Sequence, residues 1–409
     1  QMALIPLAEA VARITDSIAP LQEASLPLAD VVGMSLSCAL KATQTLPPFD
    51  NSAMDGYAVR AADTIGATET CACVLPIQGM VAAGHPAEQT LSAHSAMRIF
   101  TGAPMPADAD AVVIQENTRA NEKSVGIHKV AKPGDHVRYA GEDVKSGQLL
   151  LPKRHILGPG DIAMFVAQGH THAKVVRRPR VGIIPTGDEL VEAGTQPGPG
   201  QIANSNGIMI QSMCKALGME PTLFPIVPDD QDALAKALLK ASAHTDLILT
   251  IGGASVGDFD YVLSAIEQEG DIEFWKVAIK PGKPLAFGSI DRTPIIGLPG
   301  NPASAFVCFE LFARPALLTM AGRSTKRPLI VSAKLQSPAL KNGSREQFLR
   351  ARLVEHKSQY LVEALSLQGS GQLSSMLDIN ALIKIPIGEG TIQAGENVSV
   401  IALDRYFQG

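Results

Sequence analysis

The chain has 409 residues, 46% hydrophobic and 18% charged, with a formal net charge of −5. Such a length, at ~150 residues per domain, calls for two to four domains, and the composition excludes disordered and collagen-like chains. The slight negative balance gives no global pull on nucleic acid, so any anion must be bound locally.

In chain order, Leu7, Val11, Ile14 and Ile18 recur at helical spacing. After Leu46-Pro47-Pro48-Phe49, a polar stretch from Asp50 to Asp55 precedes the strand-like Gly56-Tyr57-Ala58-Val59-Arg60. Asp50 and Asp55 read either as turn caps or as part of a site loop. From 70 to 140 short alternating runs predict a small β-domain. In it, Thr101-Gly102-Ala103-Pro104-Met105-Pro106 reads as an ordinary Pro-Gly loop, and Cys71 and Cys73 as packed together on one strand face. Gly141-Glu142-Asp143 reads as a solvated acidic loop, and Arg177-Arg178-Pro179-Arg180 as a domain boundary.

From Val181 to about Met320, strand and helix patterns alternate, which predicts a mostly parallel sheet with ligands at the carboxyl ends of its strands. Three strand-to-turn junctions stand out: Thr186-Gly187-Asp188-Glu189-Leu190, the run Gly252 to Asp260, and Pro299-Gly300-Asn301-Pro302. The second is the strongest signal. The apolar and β-branched Leu247–Ile251 empties into Gly252-Gly253-Ala254-Ser255-Val256-Gly257 and then a predicted helix bearing Asp258 and Asp260, a suitable cradle for phosphate. Phe274 to Lys280 reads as a strand with Lys276 and Lys280 on one face, suited to a multiply charged anion or simply solvated at an edge. Residues 326–409 alternate again and predict a separate all-β domain.

No run approaches the ~18 uninterrupted apolar residues of a membrane span, and the first residues lack a secretory pattern. The five cysteines, Cys38, Cys71, Cys73, Cys214 and Cys308, are scattered, which suits a reducing cytoplasm. The glycine turn is neither a P-loop nor a dinucleotide fingerprint, and no Gly-x-Ser-x-Gly or His-Glu-x-x-His occurs. Loop acids beside a phosphate cradle imply Mg²⁺. The residues by themselves therefore point to a cytoplasmic transferase or hydrolase acting on a phosphorylated small molecule.

The segments PFDNSAMDGYAVR, MRIFTGAPMP, GED, TGDEL, GGASVGDFDY, FWKVAIKPGKPLAFG and GLPGNPASA closely resemble, in order from about residue 5 to 400, the molybdopterin molybdenumtransferase family of the MoeA type, to which gephyrin's C-terminal domain also belongs. The resemblance implies a multidomain α/β plus β fold. Its parts would be a discontinuous N-terminal mixed α+β domain (1–43 with 141–177), an inserted β-domain (44–140), a central molybdopterin-binding α/β domain (178–325) and a C-terminal β-barrel-like domain (326–409). It implies Mg²⁺-dependent insertion of molybdate into adenylylated molybdopterin with release of AMP, in a homodimer whose site lies between subunits. Further partners would be the molybdopterin adenylyltransferase and molybdoenzyme-maturation proteins; neither nucleic acid nor membrane is expected.

Carried over by position, the resemblance implies catalytic roles for Asp55, Asp143, Glu189, Asp260, Lys276 and Lys280. Asp188, Glu189, Asp229 and Asp260 would hold Mg²⁺. Thr101, Thr186, Gly252, Gly253, Ser255, Gly257, Pro299, Asn301, Arg350 and Ser370 would bind substrate, with Arg350 and Ser370 facing molybdate. The chain departs from the family at Asn204, where an acid is frequent, at Leu367, where many relatives carry histidine, and at Arg138, which lacks its basic neighbour. The alternatives are a molybdopterin adenylyltransferase, which normally lacks the flanking β-domains, and a non-enzymatic scaffold on the same fold.

Overall fold

The computed structural model describes residues 4–253, 261–323, 329–341 and 343–403. They fall into two compact units: Gln1–Cys38 with Lys153–Pro159 and His172–Gly409, and Ala39–Pro152 with Gly160–Thr171.

The first unit is organised on a six-stranded sheet. Its spatial order is Glu220–Leu223, Arg180–Pro185, Leu247–Ile251, Thr293–Leu298, Ala286–Ile290 and Gly270–Trp275. The first four strands run parallel, and the last two extend the sheet antiparallel. Every residue of Leu247–Ile251 is buried, as a central strand covered on both faces requires. Successive side chains serve opposite cores. Ile183 and Leu249 pack with Ile210 and Leu317, while Ile184 and Ile248 pack with Leu234, Leu238 and Ile266. The mostly parallel α/β architecture is thus a direct result of two-sided burial.

The helical segment Pro302–Met320 is long and apolar enough, at a mean hydropathy of 1.4, to cross a membrane, but all of that window is buried inside the protein. It is a core helix, with a π-helical turn at Phe309–Ala313. Beyond it, Glu346–His356 pairs with both Gln359–Ala364 and Ala381–Ile385. Ile330–Leu335 and Asn397–Ala402 complete the circuit, closing a five-stranded barrel around Ala351, Val362, Ile383 and Val400.

Phe274 to Lys280 is not one strand. The sheet strand stops at Trp275, Lys276 takes a left-handed φ of 77°, and Ile279–Lys280 pairs with Glu346–Gln347 of the barrel sheet. The expected shared face for Lys276 and Lys280 is therefore lost: a break between two sheets resets the period of two. Lys276 Nζ instead lies 3.5 Å from the centroid of the Trp275 ring.

The second unit carries a sheet ordered Ala111–Ile114, Gly56–Val59, Ala96–Ile99, Cys73–Val81, Ser124–Ile127 and Thr118–Ala120. Tyr57, Val59, Leu75, Val113 and Ile127 fill its core. Cys71 is exposed and precedes the strand that opens at Cys73, so the two thiols do not share a packed strand face. Thr68 explains the difference: its hydroxyl accepts the Cys71 N–H and its own N–H donates to the Cys71 carbonyl, closing a turn there.

Candidate functional site

A cleft of about 690 Å³ opens at the carboxyl end of the parallel strands. Three junctions build it. Thr186 follows Arg180–Pro185, Gly252-Gly253 follows Leu247–Ile251, and Pro299-Gly300-Asn301 follows Thr293–Leu298. Parallel register places them together, because Pro185 pairs with Ile251 and Ile251 with Leu298. Gly252 is required by its backbone. At φ 97° an added Cβ would lie 2.5 Å from the Thr186 carbonyl oxygen. Gly253, at φ 66°, would push a Cβ to 2.6 Å from Val262 Cγ2. Ala254 to Asp260 lie outside the described residues, and with them Ser255, Gly257, Asp258 and Asp260.

Two helix N-termini border the cleft. Asn204 caps Ser205–Ala216, its Oδ1 accepting the Gly207 N–H at 2.9 Å, and Asn301 precedes Pro302–Cys308. Both dipoles present positive ends to a ligand. Asn206, which belongs to none of the motifs named above, donates from Nδ2 to the Gly300 carbonyl at 2.6 Å and so ties one N-terminal turn to the other. The signal for it was the polar run Asn204-Ser205-Asn206 just before a helical pattern. Ile202, Pro284 and Leu373 add apolar lining that periodicity could not assign.

Glu189 lines the cleft, while Asp188, just before it, is exposed and accepts the Asp229 N–H on Oδ1 at 3.1 Å. Among the described residues no three His, Cys, Asp or Glu side chains converge to hold a metal. Carboxylates in ones and twos still suit Mg²⁺, which keeps waters and takes its other ligands from substrate phosphates. Neither Lys276 nor Lys280 is among the residues that line the cleft.

Ser370 reaches the site through its neighbours. Its Oγ accepts from Asn301 Nδ2 at 3.3 Å, its carbonyl accepts the Ala303 N–H, and Gly371 lines the cleft. Arg350 is wholly buried and donates from Nη2 to the Leu367 and Gly369 carbonyls, at 3.2 and 3.1 Å. It braces the loop that carries Ser370, and burial lowers the pKa of its guanidinium. Its Nε and Nη1 are buried without a partner, a cost that an anion brought to this loop would offset.

In the second unit, Asp55 and Thr101 meet. Asp55 Oδ1 accepts the Thr101 backbone N–H at 2.8 Å and its hydroxyl at 2.7 Å. Those two bonds, with a smaller pull from Arg98, hold the Asp55 carboxyl below its ordinary range. Asp143 is exposed, in a turn whose backbone N–H donates to the Leu46 carbonyl.

Comparison with known proteins covers nearly the whole chain. Residues 5–169 match the MoeA N-terminal region (domain I and II), 182–319 a probable molybdopterin binding domain, and 332–403 the MoeA C-terminal region (domain IV). A protein of Staphylococcus aureus named molybdopterin molybdenumtransferase is 32% identical over 400 residues, covering 97% of this chain and 95% of its own. A Nostoc protein of the same name is 37% identical over 379 residues, covering 91% and 86%. The crystal structure of a molybdopterin biosynthesis MoeA protein from Pyrococcus horikosii superposes with a TM-score of 0.85 at 33% identity, covering 98% of this chain and 99% of that one.

Proposed function

Because the chain belongs to the MoeA family of molybdopterin molybdenumtransferases, we propose that it inserts molybdenum into molybdopterin in molybdenum cofactor biosynthesis. The observation that carries this reading is the cleft between Thr186, Gly252-Gly253 and Asn301, where two helix N-termini and a glycine turn meet the loop acid Glu189. That surface suits a phosphorylated ligand of nucleotide or pterin size.

We take the substrate to be adenylylated molybdopterin, cleaved at its adenylyl bond so that AMP leaves as molybdate is taken up. Asp188 and Glu189 are the residues that would hold Mg²⁺, with Asp229 beside them; when bound, the ion would neutralise phosphate charge. The glycine turn lets phosphate oxygens approach backbone N–H groups, and the helix ends favour their charge. Asn301 and Ser370 present an amide and a hydroxyl suited to oxyanion contacts. Asp55, Thr101 and Asp143 supply further acid and hydroxyl groups, and the working form is a homodimer that draws one site from both copies.

The test incubates the purified protein with adenylylated molybdopterin and Mg²⁺, with and without molybdate, and measures AMP and finished cofactor. Molybdate-dependent AMP release is expected. An adenylyltransferase would instead make adenylylated molybdopterin from ATP, and a scaffold would do neither; either result overturns the proposal. The Asp55→Asn variant is expected to fold normally and lose molybdate insertion.

A further inference from the structure

Arg98, a residue that none of the site assignments above includes, contacts the strands that lead to Asp55 and Thr101. Gly56–Val59 and Ala96–Ile99 are antiparallel neighbours, with Tyr57 opposite Arg98 and Gly56 opposite Ile99. Asp55 precedes the first strand, and Thr101 stands two residues beyond the second. The two side chains therefore leave the same end of one strand pair. Arg98 grips both approaches. Its Nη1 donates to the Gly56 carbonyl at 3.3 Å and its Nη2 to Gln115 Oε1 at 3.0 Å. Its guanidinium carbon lies 5.0 Å from the Tyr57 ring centroid and 5.1 Å from that of Phe100. Two of the residues it contacts thus follow Asp55 directly, and a third directly precedes Thr101.

Arg98 is half-buried, so its guanidinium can keep its charge without a bonded carboxylate. Among the described residues none bonds Arg98; its hydrogen bonds go to a carbonyl and a neutral amide. Stacking against two aromatic faces fixes the planar group without cancelling its charge. Its field is left to act on Asp55, whose Oδ1 is fully engaged by Thr101.

We propose that Arg98 is a positioning residue of the transfer reaction: it clamps Tyr57 and Phe100 so that Asp55 and Thr101 meet. The inference rests on the reading that Asp55 takes part in transfer. A packing role alone predicts lower stability with no change in the pH dependence of turnover. A positioning role predicts both a lower kcat and an acid limb displaced to higher pH, chiefly because loosening the clamp weakens the two Thr101 bonds that hold the Asp55 carboxyl down and only secondarily because the cation is gone.

The experiment follows molybdate-dependent AMP release by the full chain, as kcat and KM against pH, for wild type, Arg98→Leu, Arg98→Lys and Asp55→Asn. Arg98→Leu is expected to lose about 10- to 100-fold in kcat with KM little altered, and to move the acid limb to higher pH. Arg98→Lys should return the limb only part of the way without restoring full kcat, since an ammonium keeps the charge but not the planar fork. Unchanged kcat and acid limb in Arg98→Leu, with Asp55→Asn inactive, overturns the inference. Should Arg98→Leu not fold, wild-type kcat in Arg98→Lys overturns it equally. Wild-type turnover in Asp55→Asn overturns the reading beneath it instead.

Discussion

The two ends of the parallel sheet follow opposite electrostatic plans. At the amino end, Asp246 leads into Leu247–Ile251, and its side chain is only 9% exposed. It accepts a bidentate pair from Arg177 at 2.6 and 2.7 Å and the Arg180 backbone N–H at 2.8 Å. Burial pushes its pKa up, but the bonds from Arg177 and Arg180 outweigh burial and bring it down to about 2. At the carboxyl end, Asp188 and Glu189 are exposed, and among the described residues neither makes an ion pair. The same strands thus carry a saturated charge where the chain enters the sheet and unsaturated ones where it leaves. One end pairs its charge inside the fold, and the other leaves it exposed beside the cleft.

The sharpest way to break that contrast is to alter the open end. Gly252→Ala places a Cβ 2.5 Å from the Thr186 carbonyl oxygen at a φ of 97°, a conformation hostile to L side chains. Leu247–Ile251 is held by strands on both sides, so the strain must be relieved in the turn itself. AMP release should fall about 100-fold, from a displacement of ~1 Å in the cradle. Stability should fall by about 1–3 kcal/mol, read from denaturant unfolding. A variant with wild-type kcat/KM would show that the turn does not shape the site.

The closed end should respond in the opposite sense. Its Asp246 carboxyl titrates near 2 in the folded chain, against about 3.9 when unfolded. A depressed folded pKa stabilises the protein above the unfolded value, and that stability is lost as pH falls from about 4 towards 2. Asp246→Asn should therefore cost about 2 kcal/mol at neutral pH, with the wild-type and variant stability curves converging across that acid window. Turnover by the folded variant should be unchanged. A loss of activity without a loss of stability would erase the distinction between the ends.

Much of this arrangement was legible in the residues. The apolar and β-branched run Leu247–Ile251 fits a strand covered on both faces, and the alternation after 326 fits half-buried strands. Turns were legible too, because Gly252 has no substitute at its φ. What stayed hidden depended on partners distant in sequence. Nothing in Phe274 to Lys280 announces that Trp275 ends one sheet and that Ile279 joins another through Glu346. Nothing around Arg350 in sequence announces that its fully buried side chain also holds the Leu367 and Gly369 carbonyls. The contact between the Thr101 loop and Asp55 was invisible to composition, since a Pro-Gly turn looks the same whether or not a carboxylate takes its hydroxyl. Local pattern encodes which face is buried; it does not encode what crosses to meet it.

Asn204 joins the two plans in a single side chain. It is 3% exposed and borders the cleft, yet its Oδ1 caps Ser205–Ala216 through the Gly207 N–H. If its main work is the cap, Asn204→Ala should lose about 1 kcal/mol of stability. Asn204→Asp should come within a few tenths of wild type, because both side chains offer the same acceptor to the helix N-terminus. Activity should then follow stability in both variants. If instead Asn204 contacts the ligand through its amide, Asn204→Asp will fold as well as wild type but bind an anionic substrate more weakly, because a carboxylate then faces it. Unfolding midpoints measured beside the KM for adenylylated molybdopterin separate the two cases. The expected result is a cap effect alone, since an amide whose oxygen is already engaged by Gly207 leaves only its nitrogen for the cleft.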